Sequence, residues 1–229
     1  MIQVKICGIT NKNEIEYLNI LKPEYIGFVF TKSKRQVTSR EAKELCGNLS
    51  NEIKTVGVFK DNTIEEILDV LNAIPLNAVQ LHGKEDEDFI MQLKNNIDIE
   101  TNIWKALAIS DVENIKRFIK FKDIQLIDNI LIDGDNPGSG EIYSLDSIGR
   151  LFDENCMVEQ EINCINRKYN FFLAGGITPE NVVERIINAN SIGVDVSSGV
   201  ESMDEKGIRT KSFEKMKKLI DNVRKIKSI

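Results

Sequence analysis

Short apolar runs alternate with amphipathic stretches along the whole chain. Eight runs have the length and composition of buried strands: Gln3–Ile6, Tyr25–Phe30, Lys54–Phe59, Ala78–Leu81, Asn102–Ala108, Asn129–Asp133, Asn170–Leu173 and Ile192–Val196. Helical spacing fills the intervals. Ile64, Ile67, Leu68 and Leu71 share a face within Thr63–Asn72, as do Phe89, Ile90 and Leu93 within Glu85–Asn96. Phe213, Met216, Leu219, Ile220 and Val223 stripe a last helix over Ser212–Ile226. Start signals precede several of these helices. Ser39 stands before Arg40, Asp61-Asn62 before Thr63, and Ser110 before Asp111-Val112-Glu113, while Thr178-Pro179 reads as a cap followed by proline in the first turn.

Strands that alternate with helices pair in parallel through crossovers. Eight such units predict an α/β fold closed into a (β/α)₈ TIM barrel, one domain over residues 1–229. An open doubly wound sheet would carry a glycine-rich phosphate turn after its first strand. Here that turn is Cys7-Gly8-Ile9-Thr10, and the glycine-rich turns follow the seventh and eighth strands, where barrels hold phosphate. The polar stretch 153–169, with Cys156 and Cys164, reads as a surface insertion on the face away from the chemistry.

A composition of 41% hydrophobic and 29% charged residues is that of a globular chain. The formal net charge of −6 argues against nucleic acid as a partner, yet is compatible with a small phosphorylated ligand held by backbone N–H groups. No apolar run approaches the roughly 20 residues of a membrane helix, and the strand-like N-terminus does not read as a signal peptide. The four cysteines, Cys7, Cys46, Cys156 and Cys164, form no CxxC pair, so free thiols and a cytoplasmic location are expected. A single histidine, His82, removes most of the ground for His-based metal sites and Ser-His triads, and no metal or cofactor is expected.

Barrel enzymes carry their chemistry at the C-terminal ends of the strands. Polar residues at those positions are Cys7, the Ser33-Lys34-Arg35 segment, Gln80, His82, Asp133, Gly175-Gly176 and Ser197-Ser198-Gly199. A free cysteine is more often a small buried hydrophobe than a reactive group. At a strand end before glycine, a thiolate is a competent base. Asp133 ends the apolar run Ile130-Leu131-Ile132, where desolvation keeps a carboxyl protonated and able to act as an acid; its other reading is a cap of the following loop. The turns at Gly175-Gly176 and Ser198-Gly199 let backbone donors approach an oxyanion. Arg35 is either a solvated loop cation or a bidentate clamp for a carboxylate. Gln80 suits a supporting role, and His82 is left open between ligand contact and loop support. Trp104 reads as core, and Glu85-Asp86-Glu87-Asp88 as a solvated helix start.

The motifs taken together resemble the phosphoribosylanthranilate isomerase family. Those that carry the resemblance are Val4-Lys5-Ile6-Cys7-Gly8-Ile9-Thr10, Gly27-Phe28-Val29-Phe30 with Ser33-Lys34-Arg35, Val56-Gly57-Val58-Phe59 and Val79-Gln80-Leu81-His82-Gly83. They continue with Leu131-Ile132-Asp133, Gly138-Ser139-Gly140, Leu173-Ala174-Gly175-Gly176-Ile177 and Gly193-Val194-Asp195-Val196-Ser197-Ser198-Gly199-Val200-Glu201. The resemblance implies a cofactor-free aldose–ketose isomerase of tryptophan biosynthesis. It converts N-(5-phosphoribosyl)anthranilate to 1-(2-carboxyphenylamino)-1-deoxyribulose 5-phosphate by an Amadori rearrangement. It further implies Asp133 as general acid, Cys7 as general base and Arg35 as the holder of the anthranilate carboxylate, in a monomer or a homodimer.

This chain departs from the family pattern at Lys34, where proline is usual and would stiffen the loop presenting Arg35. It departs again at Pro137, in place of glycine, and at Gly207-Ile208-Arg209-Thr210, in place of Gly-x-Lys-Asp, so that Arg209 reads as a surface residue. Two other readings stand beside it: a pentose-phosphate epimerase, which would need metal-binding histidines that this chain cannot supply, and a barrel that binds a sugar phosphate without turnover, against which the presence of both Cys7 and Asp133 speaks.

Overall fold

The structure, a computed structural model, describes residues 1–134, 171–203 and 207–226. The insertion expected at 153–169, Pro137 and Gly138-Ser139-Gly140 lie outside the described residues. Eight parallel strands close into a barrel in chain order: β1 (Gln3–Cys7), β2 (Tyr25–Val29), β3 (Lys54–Phe59), β4 (Ala78–Leu81), β5 (Asn102–Ala108), β6 (Asn129–Asp133), β7 (Phe171–Leu173) and β8 (Gly193–Val196). The seam joins β1 to β8 with Gln3 opposite Gly193 and Lys5 opposite Asp195. Closure leaves the barrel no free edge. It also buries both faces of every strand, which is why the strands read as unbroken apolar runs.

The described helices pack outside: α1 (Lys12–Leu21), α2 (Ser39–Cys46), α3 (Ile64–Ala73), α4 (Glu87–Lys94), α5 (Val112–Ile119), α6 (Val182–Ala189) and α7 (Phe213–Arg224). Their starts follow side-chain capping. Asn11, Thr38 and Thr63 each accept from the backbone N–H three residues on, and Glu14, Glu41 and Glu66 reach back to complete the box. The cap of α2 is therefore Thr38 rather than the expected Ser39, because only Thr38 has a glutamate three residues later. Helix α6 begins at Val182, past the expected Thr178-Pro179 start. Thr178 to Asn181 form a turn first, with Asn181 Oδ1 accepting from Thr178 N–H at 2.8 Å. After β8 the chain forms a short antiparallel pair, β9 (Glu201–Met203) and β10 (Arg209–Lys211), before α7.

The barrel interior divides into two zones. Its lower part is apolar: Trp104 packs edge-on against Tyr25 at 4.9 Å and tilted against Phe172 at 4.7 Å, with Val56, Ala78 and Leu131 around them. Above this plug, Cys7, Val29 and Val58 form a smaller apolar patch that floors the mouth. The plug makes the interior a support for side chains rather than a channel. Trp104 is fully buried, as expected. Trp104→Ala should cost about 3–5 kcal/mol in urea unfolding, the usual range for losing a large aromatic side chain from a packed core. A loss below ~1 kcal/mol would show that the plug is not a close-packed layer.

Candidate active site

The C-terminal strand ends surround a cavity of about 220 Å³. Every residue singled out from the sequence for catalysis or binding lines it: Cys7, Arg35, Gln80, His82, Asp133, Gly175, Gly176, Ser198 and Gly199. Strand alternation explains the convergence. Residues at every second position point inward, and the last inward position of each strand faces the mouth.

Cys7 ends β1, and Gly27 of the neighbouring strand gives it room. A β-carbon on Gly27 would lie 2.7 Å from Cys7 Sγ and 3.2 Å from Lys5 Nζ, so any side chain there would displace both. Burial pushes the Cys7 thiol above its ordinary value, Lys5 opposes this, Asp195 adds to it, and Lys211 opposes it again. The easily lowered thiol expected from the sequence is thus opposed by the dry surroundings.

Asp133 is buried at the end of β6. Its Oδ1 accepts from Gly134 N–H at 2.8 Å, and its Oδ2 lies 3.3 Å from His82 Nε2. Gln80 Nε2 donates to His82 Nδ1 at 3.1 Å, which places the imidazole hydrogen on Nε2, toward Asp133. Gln80, His82 and Asp133 therefore form one chain across β4 and β6. Among the described residues Gln80 Oε1 has no partner, although it is buried. An unpaired buried acceptor costs about 1–3 kcal/mol, which a donor on a bound ligand would offset.

The two glycine turns lie against each other. Gly175 and Gly176 have φ of 77° and 61°, the left-handed region that favours glycine. A β-carbon on Gly199 would sit 1.9 Å from Ile177 O, so only glycine lets the β8 turn approach the β7 turn. Asn181 Nδ2 donates to Gly176 O at 2.9 Å and holds the first turn's shape.

Arg35 is clamped rather than solvated. Its Nε and Nη2 donate to Glu201 Oε1 and Oε2 at 2.6 and 2.8 Å, and its side chain crosses Gly8, whose φ is 80° and where a β-carbon would meet Arg35 Cδ at 2.4 Å. Ser33 Oγ accepts from Arg35 N–H at 3.1 Å. Lys34 is exposed. Lys211 Nζ donates to the same Glu201 Oε1 at 2.7 Å and to Ser197 O at 3.1 Å. Burial works against the Glu201 carboxylate, but Arg35 and Lys211 outweigh it and bring its pKa down to about 2.

Sequence reasoning passed over most of the buried charges, three of which bear on the site and its surroundings. Lys5, beneath Cys7, is fully buried and lies 3.0 Å from Asp195 Oδ1. Lys211 is the buried cation of the last hairpin, while Arg209, two residues earlier, is exposed as expected. The available signal was Lys211 immediately before Ser212, the cap of α7, whose Oγ accepts from Lys215 N–H. Glu85 was expected in a solvated helix start and is instead buried. It pairs with Lys105 Nζ at 2.8 Å and accepts from Asp61 and Gly83 N–H, because Lys105 leaves β5 on its outward face and needs a counter-charge there. Asp86 caps α4 in its place.

Comparisons with known proteins point to one family. The family model described as N-(5'phosphoribosyl)anthranilate (PRA) isomerase matches residues 4–222. An N-(5'-phosphoribosyl)anthranilate isomerase of Clostridium beijerinckii is 63% identical over 226 residues, 99% of each chain. The crystal structure of phosphoribosyl anthranilate isomerase from Thermotoga maritima superposes with a TM-score of 0.79 at 31% identity, covering 99% of this chain and 100% of that one. A phosphoribosyl anthranilate isomerase solved in complex with reduced 1-(o-carboxyphenylamino)-1-deoxyribulose 5-phosphate gives 0.76 at 29% identity, with 99% and 100% coverage.

Glu201 yields a test. Its folded pKa lies below the ordinary 4.5, so the cluster's contribution is full above about pH 4.5 and is lost as pH falls toward 2. Thermal unfolding of Glu201→Gln should show a stability gap to the parent that narrows over that interval; a gap independent of pH would contradict the ion cluster. The fold, the site and the match over almost the full length lead to one conclusion: the chain belongs to the N-(5'-phosphoribosyl)anthranilate isomerase family and is an isomerase of tryptophan biosynthesis.

Proposed function

We propose that Asp133 is the general acid and Cys7 the general base of the Amadori rearrangement of N-(5'-phosphoribosyl)anthranilate. The observation that carries this reading is that a thiol and a carboxyl end facing strands at one cavity, with two glycine turns on its rim. The carboxyl of Asp133 gives its proton to the furanose ring oxygen. The C1–O bond breaks, and the anthranilate nitrogen lone pair closes a protonated Schiff base. Thiolate at Cys7 takes the proton from C2, and the released pair forms the C1–C2 double bond and neutralises the nitrogen. The enolamine then tautomerises: the C1–C2 double bond takes a proton at C1, the C2 hydroxyl gives one up, and a ketone is left at C2. The steps are proton transfers and bond shifts within one molecule, so the reaction balances without a redox partner.

The remaining residues bind. The Gly175-Gly176 and Ser198-Gly199 turns offer backbone N–H groups to the phosphate, remote from the reacting carbons, where binding energy can be used for orientation. Arg35 meets the anthranilate carboxylate, with Glu201 fixing the guanidinium. Gln80 presents its unpaired oxygen to a sugar hydroxyl, and His82 orients Asp133. The reduced product named in the complex of the solved relative has this same phosphate and carboxylate. Cys7 and Cys46 are free thiols, in keeping with work in a reducing cytoplasm as a monomer or homodimer.

Loss of the substrate's fluorescence measures turnover. Cys7→Ser and Asp133→Asn should each lower kcat by ~10²–10⁴-fold, the usual worth of a general acid or base, with circular dichroism unchanged. Parent-like turnover in both variants would end this assignment.

A further inference from the structure

The mechanism needs an anion at Cys7, yet the position is dry and burial alone holds the proton on sulfur. The charges that face the thiol come from several elements. Lys5 of β1 lies beneath it, paired with Asp195 of β8. Lys211 of β10 and Arg35 of the β2 loop approach from the side and share Glu201. Elsewhere in the cavity lining stand Asp133 of β6, the imidazole of His82 just after β4, and Lys32 and Lys60. Among the described residues of this near group, three cations meet two carboxylates, which leaves one positive charge over while Cys7 is a thiol.

Lys5 is the cation best placed to meet a charge on the sulfur. The space left by the missing side chain of Gly27 puts its Nζ and Cys7 Sγ within about 6 Å of each other, on one flank of that residue. Its ammonium is fully buried and has one carboxylate partner, at 3.0 Å, which satisfies one of its three hydrogens. An ion pair can be completed by a second anion at such a point more cheaply than a thiolate can be formed alone, since the cation is already desolvated.

We propose that Lys5 is a positioning residue for the base: held by Asp195, it stabilises the Cys7 thiolate from below and sets the pH at which the enzyme becomes active. Asp195 acts in the opposite sense and limits how far the thiol is activated. The inference rests on the reading of Cys7 as the base, and its test separates the two. Cys7 is alkylated with iodoacetamide at a series of pH values, and the peptide carrying it is quantified by mass spectrometry, so the readout is thiol ionisation and not turnover.

Lys5→Met, close in length and uncharged, should move the alkylation midpoint up by about one pH unit or more, a tenfold or greater slowing at neutral pH. The acidic limb of the kcat/KM profile should move with it. Asp195→Asn should move both down. If Lys5→Met does not fold, Asp195→Asn decides: a downward shift supports the proposal, and an unmoved midpoint overturns it. Activity lost in Lys5→Met with an unmoved midpoint also overturns it, since a merely structural lysine behaves so. A Cys7→Ser enzyme with parent-like turnover would instead remove the reading of Cys7 as the base, whatever the midpoints show.

Discussion

The buried cations around Cys7 are each paired with a carboxylate, and the rest of the site is arranged around that pairing. Desolvation opposes charge at Cys7. The same desolvation makes neighbouring cations effective, because they act through a low-dielectric interior rather than through solvent. Lys5, Lys211 and Arg35 are each anchored by a carboxylate, which keeps buried cations from being left unpaired. The anchors also fix positions. Arg35 is gripped at two nitrogens by Glu201, so its fork is oriented before any ligand arrives.

Barrel closure supplies the geometry. The register at the β1–β8 seam sets Lys5 beside Asp195 and leaves the next inward positions, Cys7 and Ser197, at the rim, where Ser197 Oγ donates to Cys7 O at 2.9 Å. The plug of Trp104, Tyr25 and Phe172 below fixes the height of that rim. Glycines then admit what larger residues would exclude: Gly27 makes space for sulfur and ammonium together, and Gly199 lets one glycine turn lie on the other. Fold and site are coupled here through packing, since the side chains gathered at the cavity are held by the residues that close the barrel.

Much of this was legible in the sequence. Strands buried on both faces leave continuous apolar runs, and all eight fell where they were expected, to within about one residue at each end. Cys7 and Asp133 stood out as polar groups ending such runs. Charge pairing was less legible. Lys5 lies inside an apolar strand and its partner is 190 positions away, while Arg35 and Glu201 are 166 apart. No local pattern reports contacts made only by closure. Lys211 was hidden by Arg209, which stands nearer the preceding glycine in a hairpin where only Lys211, the last residue of β10, is buried. Glu85 was hidden by its acidic neighbours, although only it meets Lys105.

A crystal structure of this enzyme with the reduced product 1-(o-carboxyphenylamino)-1-deoxyribulose 5-phosphate tests the central claim most directly, because it shows at once where each charged end lies. The account requires the phosphate on the backbone of Gly175-Gly176 and Ser198-Gly199, the carboxylate on Arg35, and C1 and C2 between Cys7 Sγ and the Asp133 carboxyl. A ligand seated with C2 beyond reach of the sulfur, or with its phosphate away from the two turns, would contradict it.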